Sequence, residues 1–171
     1  MQVPENIKNV IKDLCKQNII AQGKGYGPFC AAICDENGTI LSVAHNSVVM
    51  DNSSISHAEV NAIRQIQSKY NTYDLSGYNL SICVTAEPCT MCIGAIMWSG
   101  IKKVYYGLPS EEVELISGFI EGYKPNWAEY FSTMGISVSG GIEIDECRKV
   151  LEYYVSTGKI IYKPDGLNPL K

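Results

Sequence analysis

The order of apolar and polar residues predicts a three-layer α/β/α sandwich built on a mixed five-stranded sheet. Three observations carry that expectation. The extended apolar runs "FCAAIC" and "TILSVAHN" flank the turn sequence "DENG", which reads as a hairpin and hence as antiparallel strands. Beyond it, strand-like and helix-like segments alternate, the order that yields parallel strands joined through crossover helices. Segments of helical periodicity open and close the chain.

Taken in order, residues 4–17 place Ile7, Val10, Ile11 and Leu14 at intervals of three and four, which predicts an amphipathic helix. "NIIAQGKGYGPF", with three glycines and a proline, predicts a loop before the hairpin. A helix then starts near His57 and carries Val60, Ile63, Ile66 and Gln67. "GYNLSICVTA" is the next strand, residues 90–99 a short apolar helix, and "KKVYYGL" another strand. After Leu108 the pattern weakens into helical pieces broken by Gly118, Gly122 and Pro125. "ISVSGGI" reads as an edge strand and "EIDECRKVLEYYVSTG" as a helix closed by Gly158. The C-terminal helix and tail begin at about residue 143, and "KIIYKPDGLNPLK" is expected along the surface or docked on a partner.

A chain of 171 residues is long enough to bury one sizeable core, so a single domain over 1–171 is expected. No apolar run reaches the length that crosses a bilayer. "MQVPENIKNVIKDL" alternates charged and apolar residues where a secretory signal needs an uninterrupted apolar stretch, so the expected compartment is the cytoplasm. Seven cysteines are an odd number and widely scattered, which argues against a disulfide framework; Cys30, Cys34 and Cys83 lie in strand-like runs and read as packing. The net charge is −4 and Arg64 and Arg148 are the only arginines, whereas a nucleic-acid binder neutralises phosphates with clustered basic residues. A polyanionic partner is therefore not expected.

The chemistry-bearing residues lie in two stretches, "SISHAEVNAI" and "TAEPCTMCIGAIMW". His57, Cys89 and Cys92 form the ligand set of a catalytic zinc, which keeps its fourth position for water. Cysteines three apart on the first turn of a helix project to the same side, and the positive end of the helix favours thiolates. Pro88 makes the entry rigid. Glu59 reaches the same water only if His57 stands at a helix boundary, and the capping residues of "SSIS" fit a boundary there. Zinc would then generate hydroxide near neutral pH to attack an amino-bearing ring carbon. Glu59 would shuttle protons and ammonia would leave, with the backbone N–H groups of Ala58 and of the Cys89 turn oriented to stabilise charge or hold substrate. Trp98, at the end of the Cys92 helix, is placed to wall the pocket or to pack in the core. A closed structural zinc would need a fourth ligand such as Cys83 or Cys34 and would leave Glu59 idle. A redox dithiol would use neither His57 nor Glu59. His45, in a strand, reads as a core histidine.

At "HAE" and "PCTMC" the chain resembles the zinc-dependent nucleobase and nucleoside deaminases of the cytidine deaminase superfamily. The likeness extends through "GPFCAAI", "AHNSV", "CVTAEPCTMCIGAIMWSGIKKVYYG" and "GIEIDEC", roughly residues 4–155. It implies one Zn2+ per chain, a small-molecule nucleobase or nucleoside as substrate, and a homodimer. It also implies that Asn46 hydrogen-bonds the ring and that Phe29 packs on the base. Among subfamilies, bacterial guanine deaminases are similar in "HAEVNAI", "MCIGAIMW" and "SGF", and in acidic residues just before that Gly-Phe, here Glu111, Glu112 and Glu114. Guanine presents donors at N1 and the 2-amino group, for which a carboxylate is the natural acceptor; in the resembling family it reaches the site from a neighbouring subunit. The expectation is a guanine deaminase. The alternatives are another base or nucleoside such as cytosine, a triazine, or tRNA adenosine; a catalytically silent binding module is the non-enzyme alternative.

Overall fold

The computed structural model describes residues 3–164. The hairpin forms from β1 (Cys30–Cys34) and β2 (Ile40–His45), with Asp35 Oδ1 accepting hydrogen bonds from the N–H groups of Asn37 and Thr39 in the turn. β1 also pairs antiparallel with β3 (Ser81–Ala86). From there β3, β4 (Lys103–Leu108) and β5 (Ser137–Ser139) run parallel, giving one mixed sheet in the order β2-β1-β3-β4-β5.

Alternation along the central strands decides what each face covers. Cys30, Ala32, Cys34 and Cys83 face α1 (Glu5–Gln22) and α7 (Ile144–Ser156). Ala31, Ile33, Ile82 and Val84 face α3 (Ala58–Tyr70), α4 (Thr90–Ser99) and α6 (Trp127–Thr133). Because both faces are covered, β1 and β3 are buried along their whole length and read as unbroken apolar runs. The expected three-layer α/β/α sandwich with its mixed five-stranded sheet is the observed architecture. Among the described residues no helix is long and apolar enough to cross a membrane.

Three details differ from the expectation. α1 runs past residue 17 to Gln22, because Asn18 and Gln22 face inward and their amide nitrogens find acceptors there. Gln22 Nε2 donates to Asn18 Oδ1 (2.9 Å) and to the Val150 carbonyl (3.1 Å), and Asn18 Nδ2 donates to the Gly27 carbonyl (3.2 Å), although Gln22 Oε1 has no partner among the described residues. A short helix, α2 (Val48–Asp51), occupies the stretch before His57. The weak region after Leu108 resolves into α5 (Ser110–Ser117) and α6, separated by the irregular segment 118–126, which turns at Gly118 (φ 74°) and Gly122 (φ 81°). Of the tail, the residues from 165 onward lie outside the described part of the chain.

The parallel step from β3 to β4 passes through α4, so α4 begins just beyond the carboxyl end of β3, beside the point where sheet direction changes between β1 and β3. Crevices outside the carboxyl ends of strands at such switch points are where open α/β sheets bind ligands.

Candidate active site

Two helices begin at one place. His57 is the N-cap of α3 and Cys89 the N-cap of α4, both with extended backbone (ψ 154° and 168°). Neither side chain caps its own helix, so both are free for other ligands, and Cys92 follows on the first turn of α4. His57 Nδ1 stands 3.5 Å from Cys89 Sγ and 3.6 Å from Cys92 Sγ, and the three donor atoms lie within 4.8 Å of one another. Nitrogen and sulfur ligands of a tetrahedral zinc ion stand about 3.6 Å apart, so this donor set fits one Zn2+. Cys92 is buried while His57 and Cys89 line a cavity, which leaves the trio one open side.

The local electrostatics favour metal binding. The Cys89 thiol is pulled down to about 4, first by its hydrogen bond with Cys92 and then, against the opposing effect of burial, by His57. Cys92 is pushed up by the same bond and by burial, so the two sulfurs share one proton that a cation would displace. Burial pulls the His57 imidazole down, yet the hydrogen bond to Cys89 and its charge outweigh this and leave it raised. Glu59, on the first turn of α3, is 5% exposed and faces the cavity. Burial raises its carboxyl above the ordinary range and the charge of Cys89 adds to that.

The cavity encloses about 540 Å³, within the range of small-molecule sites. Phe29 forms one wall. The lining also includes two residues the sequence reading passed over, Glu121 and Tyr162. Glu121 is 7% exposed, and its carboxyl is pushed up to about 8 by burial and by the charge of Cys89, against the pull of Lys124. The Tyr162 ring packs 4.8 Å from Phe119 and 6.4 Å from His57, and its buried hydroxyl has no hydrogen-bond partner among the described residues. Sequence signals for both existed: Glu121 stands two positions after the same "SGF", and Tyr162 ends an apolar "IIY" run in an otherwise irregular tail.

Other expected residues lie elsewhere. Asn46 is buried behind the cavity wall between two lining residues. Its N–H donates to the Phe29 carbonyl (3.0 Å), its Oδ1 accepts from the Val48 N–H (3.2 Å), and its Nδ2 has no partner. Gly27 makes room for it, since a Cβ there would come within 2.8 Å of Asn46 Oδ1. Ala58 is buried at the first position of α3, where its N–H is one of the groups a helix leaves unpaired. Trp98 walls nothing in this cavity. It stands 82% exposed on the last turn of α4, about 13 Å along the axis from Cys89. Glu112 is also away from the cavity, because Arg148 holds its carboxylate at 2.7 Å. Glu114 accepts from the Glu121 N–H (3.0 Å), and Glu111 is exposed. Among the described residues Glu121 therefore lines the cavity where the earlier glutamates do not, because α5 ends at Ser117 and the chain turns back towards α4 only after Gly118.

Comparison with known proteins agrees with this geometry. The sequence profile of the cytidine and deoxycytidylate deaminase zinc-binding region matches residues 4–108. A tRNA-specific adenosine deaminase of Haemophilus influenzae is 29% identical over 137 residues, 78% of this chain and 74% of that protein. The guanine deaminase of Bacillus subtilis is 39% identical over 80 residues, 47% of this chain and about half (49%) of its own length. Among solved structures, a guanine deaminase from Nitrosomonas europaea superposes with a TM-score of 0.80 at 34% identity, covering 91% of this chain and 86% of that one. The protein NE0047 in complex with 2,6-diaminopurine superposes at 0.87 with 31% identity, covering 95% and 88%. This chain belongs to the cytidine and deoxycytidylate deaminase family and is a hydrolytic deaminase with that family's zinc-binding region.

Proposed function

We propose that the chain deaminates a free purine base, with guanine as the preferred substrate and xanthine and ammonia as products. The observation that carries this reading is Glu121, a buried carboxyl group that lines the same cavity as His57, Cys89 and Glu59. A buried acceptor needs donors, and guanine offers them side by side at N1 and its 2-amino group. Support also comes from the similarity to guanine deaminases of Nitrosomonas europaea and Bacillus subtilis.

His57, Cys89 and Cys92 would hold Zn2+, which when bound would lower the pKa of a water from 15.7 to about 7 and so make a nucleophile available at neutral pH. The remaining steps belong to the chain. Glu59 Oε takes the proton of the attacking water as oxygen adds to the amino-bearing carbon, C2 of guanine. It delivers that proton to the adjacent ring nitrogen N3, then carries the second to the departing amine. One water is consumed and one ammonia released. The depressed acidity of Glu59 suits this work, because a carboxyl raised by burial holds a proton more readily between transfers. Phe29 and Tyr162 flank the cavity with aromatic faces for the ring, while Asn46 Nδ2 and the Tyr162 hydroxyl are buried donors awaiting partners. The Ala58 N–H, at the positive end of α3, orients or stabilises the oxygen being added.

The tRNA adenosine deaminases are the second reading, favoured by an alignment over 78% of the chain. Against it stands the scarcity of arginine, with Arg148 already tied to Glu112 and Asp145. The protein is further taken to assemble as a homodimer through α4, whose outer face is apolar.

Ammonia release by the zinc-loaded protein from guanine, guanosine, adenine, cytosine, cytidine and isolated tRNA tests the substrate; turnover of guanine is expected, and an inert guanine beside another reactive ring overturns the purine reading. Replacing Glu59 by Gln is expected to keep zinc content and folding while lowering turnover by about 10²- to 10⁴-fold. Undiminished ammonia release by E59Q would remove the proton shuttle from the mechanism.

A further inference from the structure

Lys124 is the one buried cation at this site, and no step above uses it. The segment 118–126 is strapped across the first turn of α4: the Thr90 N–H donates to the Glu121 carbonyl (3.1 Å), and Thr90 Oγ1 donates to the Tyr123 carbonyl (3.1 Å). Gly122 lies against the same threonine, where a Cβ would come within 2.6 Å of Oγ1. From this strap the Lys124 side chain, 10% exposed, runs inward beneath the Cys89 turn. Its Nζ donates to the Pro88 carbonyl (2.7 Å) and to Ser110 Oγ. It also faces two carboxylates, Glu87 Oε1 at 3.7 Å and Glu121 Oε2 at 3.9 Å.

Glu87 is itself fully engaged. Its Oε1 accepts from Trp127 Nε1 (2.7 Å) and its Oε2 from the Ser110 N–H (3.0 Å). Two largely buried carboxyl groups and one ammonium thus lie together beside the Cys89 turn, and neither acid has a second cation within ion-pair distance among the described residues. A buried charge stripped of its partner is strongly disfavoured, so removing the ammonium would leave both carboxyl groups without the partner that holds them in place.

We propose that Lys124 is a positioning residue whose ammonium ties the Pro88 carbonyl, on the peptide that leads into the ligand Cys89, to the cavity carboxylate Glu121. Metal ligand and substrate acceptor are thereby held in register by one side chain. The peptide between Pro88 and Cys89 carries the donated bond, so its orientation sets where Cys89 Sγ points. The same ammonium faces Glu121 Oε2 and holds that side chain at a fixed place on the cavity wall beside the Cys89 turn. The Glu121 half of this assignment rests on the purine-base reading; the Cys89 half does not.

The test replaces Lys124 by Met in the full-length chain, loaded with cobalt in place of zinc. The K124M protein is expected to shift the cobalt d–d and thiolate charge-transfer bands and to bind the metal about tenfold more weakly in competition with a chelator, the size of effect that second-sphere partners of metal sites exert. With guanine, KM is expected to rise about tenfold while kcat changes far less, because a binding contact and not a proton carrier is disturbed. A side chain that merely packs would lower the melting temperature and leave the cobalt bands, metal affinity and KM where they were, and that result overturns the proposal. Should K124M not fold, Ser110→Ala removes one acceptor of Nζ and leaves the ammonium in place. The same shifts at smaller amplitude then support the assignment and an unchanged spectrum overturns it. If the wild-type protein does not turn over guanine, the purine reading fails while the cobalt measurements still decide the role of Lys124.

Discussion

Glu121 and Glu59 are both buried carboxylates at one cavity, yet their neighbours give them different work. Glu59 sits on the first turn of α3, two residues from His57 of the metal-ligand set, and lines the cavity there. Glu121 stands on the irregular segment after α5, fixed through its N–H by Glu114 and through its carbonyl by Thr90. Replacing Glu121 by Gln keeps the volume and one acceptor but puts an amide donor towards the donors of guanine. A charged hydrogen bond contributes about 1.5–3 kcal/mol, so kcat/KM for guanine is expected to fall about 10- to 100-fold in E121Q, chiefly through KM. E59Q by contrast loses kcat. Equal KM values for E121Q and the parent protein, measured by steady-state ammonia release, would take Glu121 out of substrate recognition.

At the scale of elements, the edge strand β2 ends in a residue whose protonation couples to folding. The His45 ring packs against Tyr26 at 5.3 Å, and its Nδ1 is buried without a partner. Burial lowers its pKa and the nearby Lys24 lowers it further, so the fold prefers the neutral ring. As pH falls below the ordinary histidine value of about 6.5, the unfolded chain takes up a proton that the folded chain resists. Stability contributed at neutral pH is therefore lost on acidification from about pH 6.5 downward. Melting temperatures measured from pH 7.5 to 5 are expected to drop less steeply in H45Q than in the parent; parallel curves would show that His45 does not titrate with folding. The elements near the metal were legible because each has a local cause: His57 and Cys89 follow capping residues or a proline, and Val60, Ile63 and Ile66 keep helical spacing. α1 was read short because Asn18 and Gln22 look polar until Val150 and Gly27, far along the chain or across a turn, come to accept from them. The cluster Glu111, Glu112 and Glu114 stands out in a sequence, whereas Glu121 comes to the cavity only by the way 118–126 folds back over α4. Trp98 was drawn to the cavity by its nearness to Cys92 in sequence, but a helix that starts at the site carries its last turn away from it.

At the scale of the whole molecule, α4 is apolar nearly all round, although only one side of it is covered in a single chain. Cys92, Ile96 and Ser99 face the core, while Met91, Gly94, Ala95 and Trp98 recur at intervals of three and four on another face. A Cβ at Gly94 would meet open space, and Trp98 is largely solvent-exposed. A helix hydrophobic on all sides is ordinarily buried on all sides, which is why a second copy is the proposed cover. Light scattering is then expected to give about twice the 18.8 kDa chain mass, and Trp98→Asp to shift the population towards monomer at micromolar concentration. The two ideas about the recognising acid separate here. Were the carboxylate supplied by a neighbouring subunit, dissociation would abolish guanine turnover; with Glu121 lining the cavity of its own chain, the W98D monomer is expected to keep its metal and most of its kcat/KM. A monomeric parent protein removes the dimer and leaves the site intact, whereas an inactive but zinc-loaded W98D monomer would mean that the cavity is completed from across the interface.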